Sequence, residues 1–146
     1  MPFKFLDKVS IADTAFEATG KSLEEFFAAC AQATTRTMVN PKTLAGKIKK
    51  EFVLDGEEID TLLYDFLSEI IFLKDARSMI FKKVEVEIKE MKTQDSPNFR
   101  LKAKLWGEEI NHEKHELKND IKAITKHMFE IKKTEKGWKA TVIVDI

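Results

Sequence analysis

Between Ile59 and Ile71 the residues Ile59, Leu62, Leu63, Phe66, Leu67, Ile70 and Ile71 recur at three- and four-residue intervals, and from Met79 onward that period gives way to two. The first spacing lines one face of a helix; the second lines one face of a strand. A stripe as wide as this must be covered, and the nearest apolar surface is that of the strands, so a helix on a sheet is expected. Val84, Val86 and Ile88 alternate with Glu85, Glu87 and Lys89. Phe99, Leu101, Ala103 and Leu105 then alternate with basic residues, and the intervening T-Q-D-S-P-N makes the pair a hairpin. Further on, Ile121, Ala123, Thr125, His127, Phe129 and Ile131 are expected on one face of a long strand. A last strand sets Trp138, Ala140, Val142, Val144 and Ile146 opposite Lys139, Thr141, Ile143 and Asp145, with E-K-G at Glu135 to Gly137 as the turn between the two.

The first half reads similarly. In A-D-T-A-F-E-A, Asp13, Ala15 and Glu17 project to one side of a strand and Ala12, Thr14, Phe16 and Ala18 to the other. Gly20 turns the chain, and S-L-E-E at Ser22 to Glu25 is a capping box that starts a helix. Leu23, Phe26, Phe27 and Cys30 form its buried stripe, which makes Cys30 a core residue; the helix runs to about Met38, before Asn40 and Pro41 close it. Lys47 to Leu54 predicts a strand with Ile48, Phe52 and Leu54 on one face, and D-G-E-E at Asp55 to Glu58 opens the second helix. With no internal repeat or low-complexity tract, residues 1–146 are expected to form a single α+β domain, a layered and mostly antiparallel sheet with two main helices packed on one side.

Lys plus Arg and Asp plus Glu each number 25. Zero net charge argues against RNA or DNA as a direct, high-affinity ligand, because gripping many phosphates calls for a basic surface. A single cysteine excludes an internal disulfide and leaves a Cys-based zinc site without its other ligands, which suits a reducing cytoplasm. No apolar stretch of signal-peptide length opens the sequence, and Asp60, Tyr64, Asp65, Ser68 and Glu69 interrupt the most apolar window, so a soluble protein with no membrane segment is expected. Nucleotide-binding glycine loops, G-x-S-x-G and H-E-x-x-H are all absent from the sequence.

Three histidines and two aspartates carry what chemistry remains. His112 and His115 stand three apart in the polar loop N-H-E-K-H-E-L-K-N-D and read as solvated side chains, since two ligands make a poor metal site. His127 takes an inward position between Thr125 and Phe129, as a hydrogen-bonded core histidine or a functional one. Asp13 and Asp145 each interrupt a strand, an element depleted in aspartate. If those strands meet, the repulsion between the carboxylates calls for a cation, and all-oxygen ligation favours Mg2+, Mn2+ or Ca2+. Two exposed edge carboxylates are the other reading.

An ordered series of blocks resembles the archease family: A-D-T-A-F-E-A-T-G-K-S-L-E-E at Ala12 to Glu25, L-L-Y-D-F-L-S-E-I-I-F-L at Leu62 to Leu73, and W-G-E at Trp106 to Glu108. It continues with K-H-E-L at Lys114 to Leu117, I-K-A-I-T-K-H-M at Ile121 to Met128, and the terminal V-I-V-D-I. The resemblance implies a non-enzymatic partner of an RtcB-type RNA ligase in tRNA splicing and RNA repair, one that promotes guanylylation of the ligase by GTP and its multiple turnover. It implies a divalent ion on Asp13 and Asp145, with the terminal carboxylate of Ile146 as a further candidate donor, and it maps Lys122 and His127 onto the same neighbourhood as a ligase-activation surface. Two departures stand out: S-I-A-D at Ser10 to Asp13 replaces the family's H-T-A-D, and Lys126 takes a position where an aromatic is common. The rival readings are a small metal-dependent hydrolase using the same carboxylates and a general chaperone.

Overall fold

The computed structural model describes residues 2–6, 13–91, 98–126 and 130–146. In chain order the elements are β1 (Phe3–Phe5), β2 (Asp13–Gly20), α1 (Leu23–Met38), a 3-10 turn (Pro41–Thr43), β3 (Ile48–Gly56), α2 (Ile59–Arg77), β4 (Met79–Glu90), β5 (Phe99–Glu109), β6 (Ala123–Ile124), β7 (Glu130–Thr134) and β8 (Gly137–Asp145). The α+β class and the two helices are as expected. The strands, however, divide between two antiparallel sheets: β1, β2, β8 and β6 side by side with β7 also on β8, and β3, β5 and β4 in a second.

Each helix packs against strands of both sheets. Fully buried Phe16 from β2, Phe26 and Phe27 from α1, Phe66 from α2, and Phe81 and Leu101 from the second sheet belong to one continuous core. A wide apolar stripe on each helix makes this arrangement stable, because each stripe meets strand side chains rather than water. Ser22 Oγ accepts the Glu25 N–H at 3.1 Å, and the Glu25 carboxylate accepts the Lys21 N–H at 3.1 Å, so the capping box forms as read. Cys30 is buried within α1; burial pushes its thiol pKa far up, which leaves it a packing residue.

Two expectations change. Ile48, the first residue of β3, is 42% exposed, while Phe52 and Leu54 pack against the core. The long strand over Ile121 to Ile131 is two short ones. Ile124 pairs with Val144 and Glu130 with Thr141, so six residues on one side span three on the other. The two-residue period cannot persist across that mismatch. Ile121 and Ile124 are the buried residues here, and Ala123 is exposed. Phe129 and His127 lie outside the described residues.

Candidate functional site

Strand β8 runs between β2 and β6, and its last residue has neighbours on both sides. Asp13 pairs with Asp145 across β2–β8, and Ala123 pairs with Asp145 across β6–β8. Directly opposed residues of an antiparallel pair share a face, with Cβ atoms about 4.5–5.5 Å apart. The register therefore brings together the two carboxylates that lie 132 positions apart in the sequence, both half-buried. Asp145 stands on an interior strand, so the edge-carboxylate reading fails for it.

Backbone hydrogen bonds hold the end of β8 in place. The Lys122 N–H donates to the Asp145 carbonyl at 2.7 Å, and the Thr125 N–H donates to the Ile143 carbonyl at 3.0 Å. Ile146 follows Asp145 with its side chain packed against the core. Lys122 is exposed next to this pairing. Lys126 lies 4.6 Å from the centroid of the Tyr64 ring, so an aromatic contact exists here with the lysine as its cation.

A lysine that the sequence reading passed over fixes the segment below. Lys74 of α2 is buried and donates to the Ile121 carbonyl at 2.7 Å, to Asp75 at 2.8 Å and to Asp120. Burial opposes its charge, but the hydrogen bonds to Asp120 and Asp75 outweigh that and hold its pKa above the ordinary lysine value. Lys74 thus ties α2 to Ile121, one residue before the Lys122 N–H that holds Asp145. Its only sequence signal is a charge continuing the stripe of Ile70 and Ile71.

A second buried cluster joins Glu108 of β5 to the loop after it. Glu108 Oε1 lies 2.7 Å from His115 Nε2 and accepts the Ala45 N–H at 2.8 Å, while Oε2 accepts from Lys114 Nζ at 2.7 Å. His115 Nδ1 accepts the Asn111 N–H at 3.0 Å, which assigns the ring proton to Nε2, facing the carboxylate. The His115 bond foremost, then Lys114 and the Ala45 N–H, lower the Glu108 pKa to about 2. The expectation of a solvated His115 is therefore wrong: the ring is enclosed and plugs the loop onto β5.

Asp13 and Asp145 offer oxygen donors only, and no group of three or more His, Cys, Asp or Glu suited to a metal occurs among the described residues. A pair of carboxylates suits a hard cation that keeps water or phosphate oxygens for its remaining positions, as Mg2+ does. Zinc would want nitrogen or sulfur.

The family model described as Archease protein family (MTH1598/TM1083) matches residues 3–146. The chain belongs to the archease family. It is 39% identical over 136 residues to the protein archease of Pyrococcus abyssi, covering 92% of this chain and 93% of that one. Against the protein archease of Methanosarcina mazei the identity is 34% over 135 residues, covering 92% and 90%. Among solved structures, protein 1598 of Methanobacterium thermoautotrophicum superposes with a TM-score of 0.80 at 31% identity over 99% of both chains. An archease of Thermotoga maritima, called a possible chaperone, shares the fold with a TM-score of 0.63 at 20% identity, covering 94% of this chain and 93% of that one.

Proposed function

We propose that this chain is a non-catalytic activator of an RtcB-type RNA ligase in tRNA splicing and RNA repair, promoting GTP-dependent guanylylation of the ligase and its repeated turnover. The observation that carries the reading is the opposition of Asp13 and Asp145 at the end of a tethered interior strand, in a chain of this family. Opposed carboxylates repel unless a cation lies between or beside them. Asp13 and Asp145 would hold Mg2+, Mn2+ or Ca2+, with Ile146 as a further candidate donor. A divalent ion supplies positive charge next to triphosphate oxygens. The aspartates' part is to fix where that charge sits; Lys122 and His127 belong to the surface that meets the ligase.

Other features agree. Among the described residues no helix is long and apolar enough to cross a membrane. Zero formal charge suits a protein whose partner is a protein, with no high-affinity grip on RNA, and we place it in the cytoplasm. Among the described residues the exposed large apolar side chains, Phe5, Ile48, Val53, Phe72 and Leu117, are distributed over β1, β3, α2 and a loop, which gives a general chaperone little concentrated surface there. The test is transfer of labelled GMP from GTP to the ligase in a single turnover, with this chain, with Asp145→Asn, or without either. Faster labelling only with the unaltered chain supports the proposal. Equal labelling in all three refutes it.

A further inference from the structure

A groove of about 910 Å3 opens at the other end of the β2–β8 pair. Asp13 faces Asp145 at one end of the register and Gly20 faces Trp138 at the other, so roughly 23 Å separates the two, at about 3.3 Å per residue. Trp138 of β8 and Ala28 and Ala29 of α1 line it with apolar surface, and Lys21 and Lys136 stand around it. Lys133 Nζ lies 5.3 Å from the centroid of the Trp138 ring and adds a third ammonium group close by. Two acids also line the groove. One, Glu25, spends its carboxylate on the Lys21 N–H as a helix cap; the other, Glu135, sits in the turn. Lys139, next to Trp138 in β8, projects to the opposite face of the strand, where it pairs with half-buried Glu17 at 3.5 Å.

The groove is preformed. Gly137 has φ +130°, and a Cβ there would come within 2.2 Å of the Gly20 carbonyl oxygen; a Cβ on Gly20 would meet the Phe26 nitrogen at 2.3 Å. The β7–β8 turn, the end of β2 and the first turn of α1 are therefore in backbone contact, which fixes the walls before any ligand arrives. An apolar wall with an indole, a cationic rim, and a volume within the usual range for small-molecule sites together select a flat organic anion.

We propose that this groove is a second ligand site, separate from the aspartates, for a nucleoside phosphate. The base lies against Trp138 and the alanines of α1, and the phosphate meets Lys21 and Lys136. The site needs no divalent ion. It stands independently of the ligase reading, because neither Asp13 nor Asp145 takes part.

The test is titration of the full chain with GMP, with AMP and with inorganic phosphate, in EDTA. Trp138 emission is followed in Trp106→Phe, and heat of binding is followed in the unaltered chain. Both nucleotides should give saturable signals, with phosphate alone weaker by roughly tenfold or more. The double variant Lys21→Glu/Lys136→Glu should weaken nucleotide binding by roughly tenfold or more, and Asp145→Asn should leave it unchanged. Absence of saturation at about 5 mM nucleotide by calorimetry overturns the proposal, as does equal binding of phosphate or undiminished binding by a folded double variant. Loss of binding in Asp145→Asn would also overturn it, by moving the ligand to the aspartate end.

Discussion

Replacing Asp145 with Asn should stabilise the cation-free protein and abolish its response to divalent ions. Asp145 and Asp13 are directly opposed on one face, with Cβ atoms about 5 Å apart, and two charges at about that spacing set the scale. Coulomb's law then gives about 0.8 kcal/mol of repulsion at ε ~80 and about 3 kcal/mol at ε ~20. Both side chains are half-exposed and Asp13 takes part in a further interaction, which sets the expectation near the lower end, about 1 kcal/mol. For a chain of this length that corresponds to a melting temperature higher by about 2–4 °C. The assay is calorimetric melting in EDTA and in increasing Mg2+ or Mn2+ at low ionic strength. The unaltered chain should start lower and rise with the cation; Asp145→Asn should start higher and stay flat. A variant that melts lower in EDTA and still rises with the cation would refute the paired-carboxylate site.

Lys74→Met should cost about 1–3 kcal/mol, because the buried Ile121 carbonyl loses its donor, and hydrogen exchange at Lys122 and Thr125 should quicken; unchanged exchange would mean that Lys74 does not tether this segment. Glu108 has a folded pKa of about 2, below its value in the unfolded chain, so its contribution is complete above about pH 4.3 and is lost as pH falls through 2. Urea midpoints should accordingly fall more steeply between those pH values for the unaltered chain than for Glu108→Gln, and parallel curves would contradict the Glu108–His115 cluster. Ser22→Ala removes the acceptor for the Glu25 N–H and should destabilise the fold by about 1 kcal/mol in urea unfolding; no change would deny the cap its role.

The elements that sequence disclosed best were those with a strong local rule. The Ser22 cap, the stripe of α2 and the alternation of β4 and β5 each follow from neighbouring residues, and each formed where it was read. The division into two sheets was not legible, because period-two patterning shows which face of a strand is buried and is silent about which strands pair. The segment after Ile121 failed for a related reason: two short runs, out of step by three residues against β8, look like one alternation when written in line.

The candidate site was half legible. Aspartates in otherwise apolar strands drew attention to Asp13 and Asp145, but only register could set them opposite each other. Lys74 and His115 were missed because their partners, Ile121 and Glu108, are distant in sequence or separated by a loop, so Lys74 drew no reading and His115 read as a solvated ring. A buried polar residue declares itself through its hydrogen bonds, which the linear pattern does not contain.

The most direct test of the proposed role is RNA joining by a cognate RtcB-type ligase, with GTP, divalent metal and RNA in excess, and this chain at substoichiometric amounts. The account predicts many joined ends per ligase with the unaltered chain and a stalled reaction with Asp13→Asn or Asp145→Asn, both folded. Equal yields with and without the chain would contradict the activator role, and full activity of both folded variants would contradict the paired carboxylates as its basis.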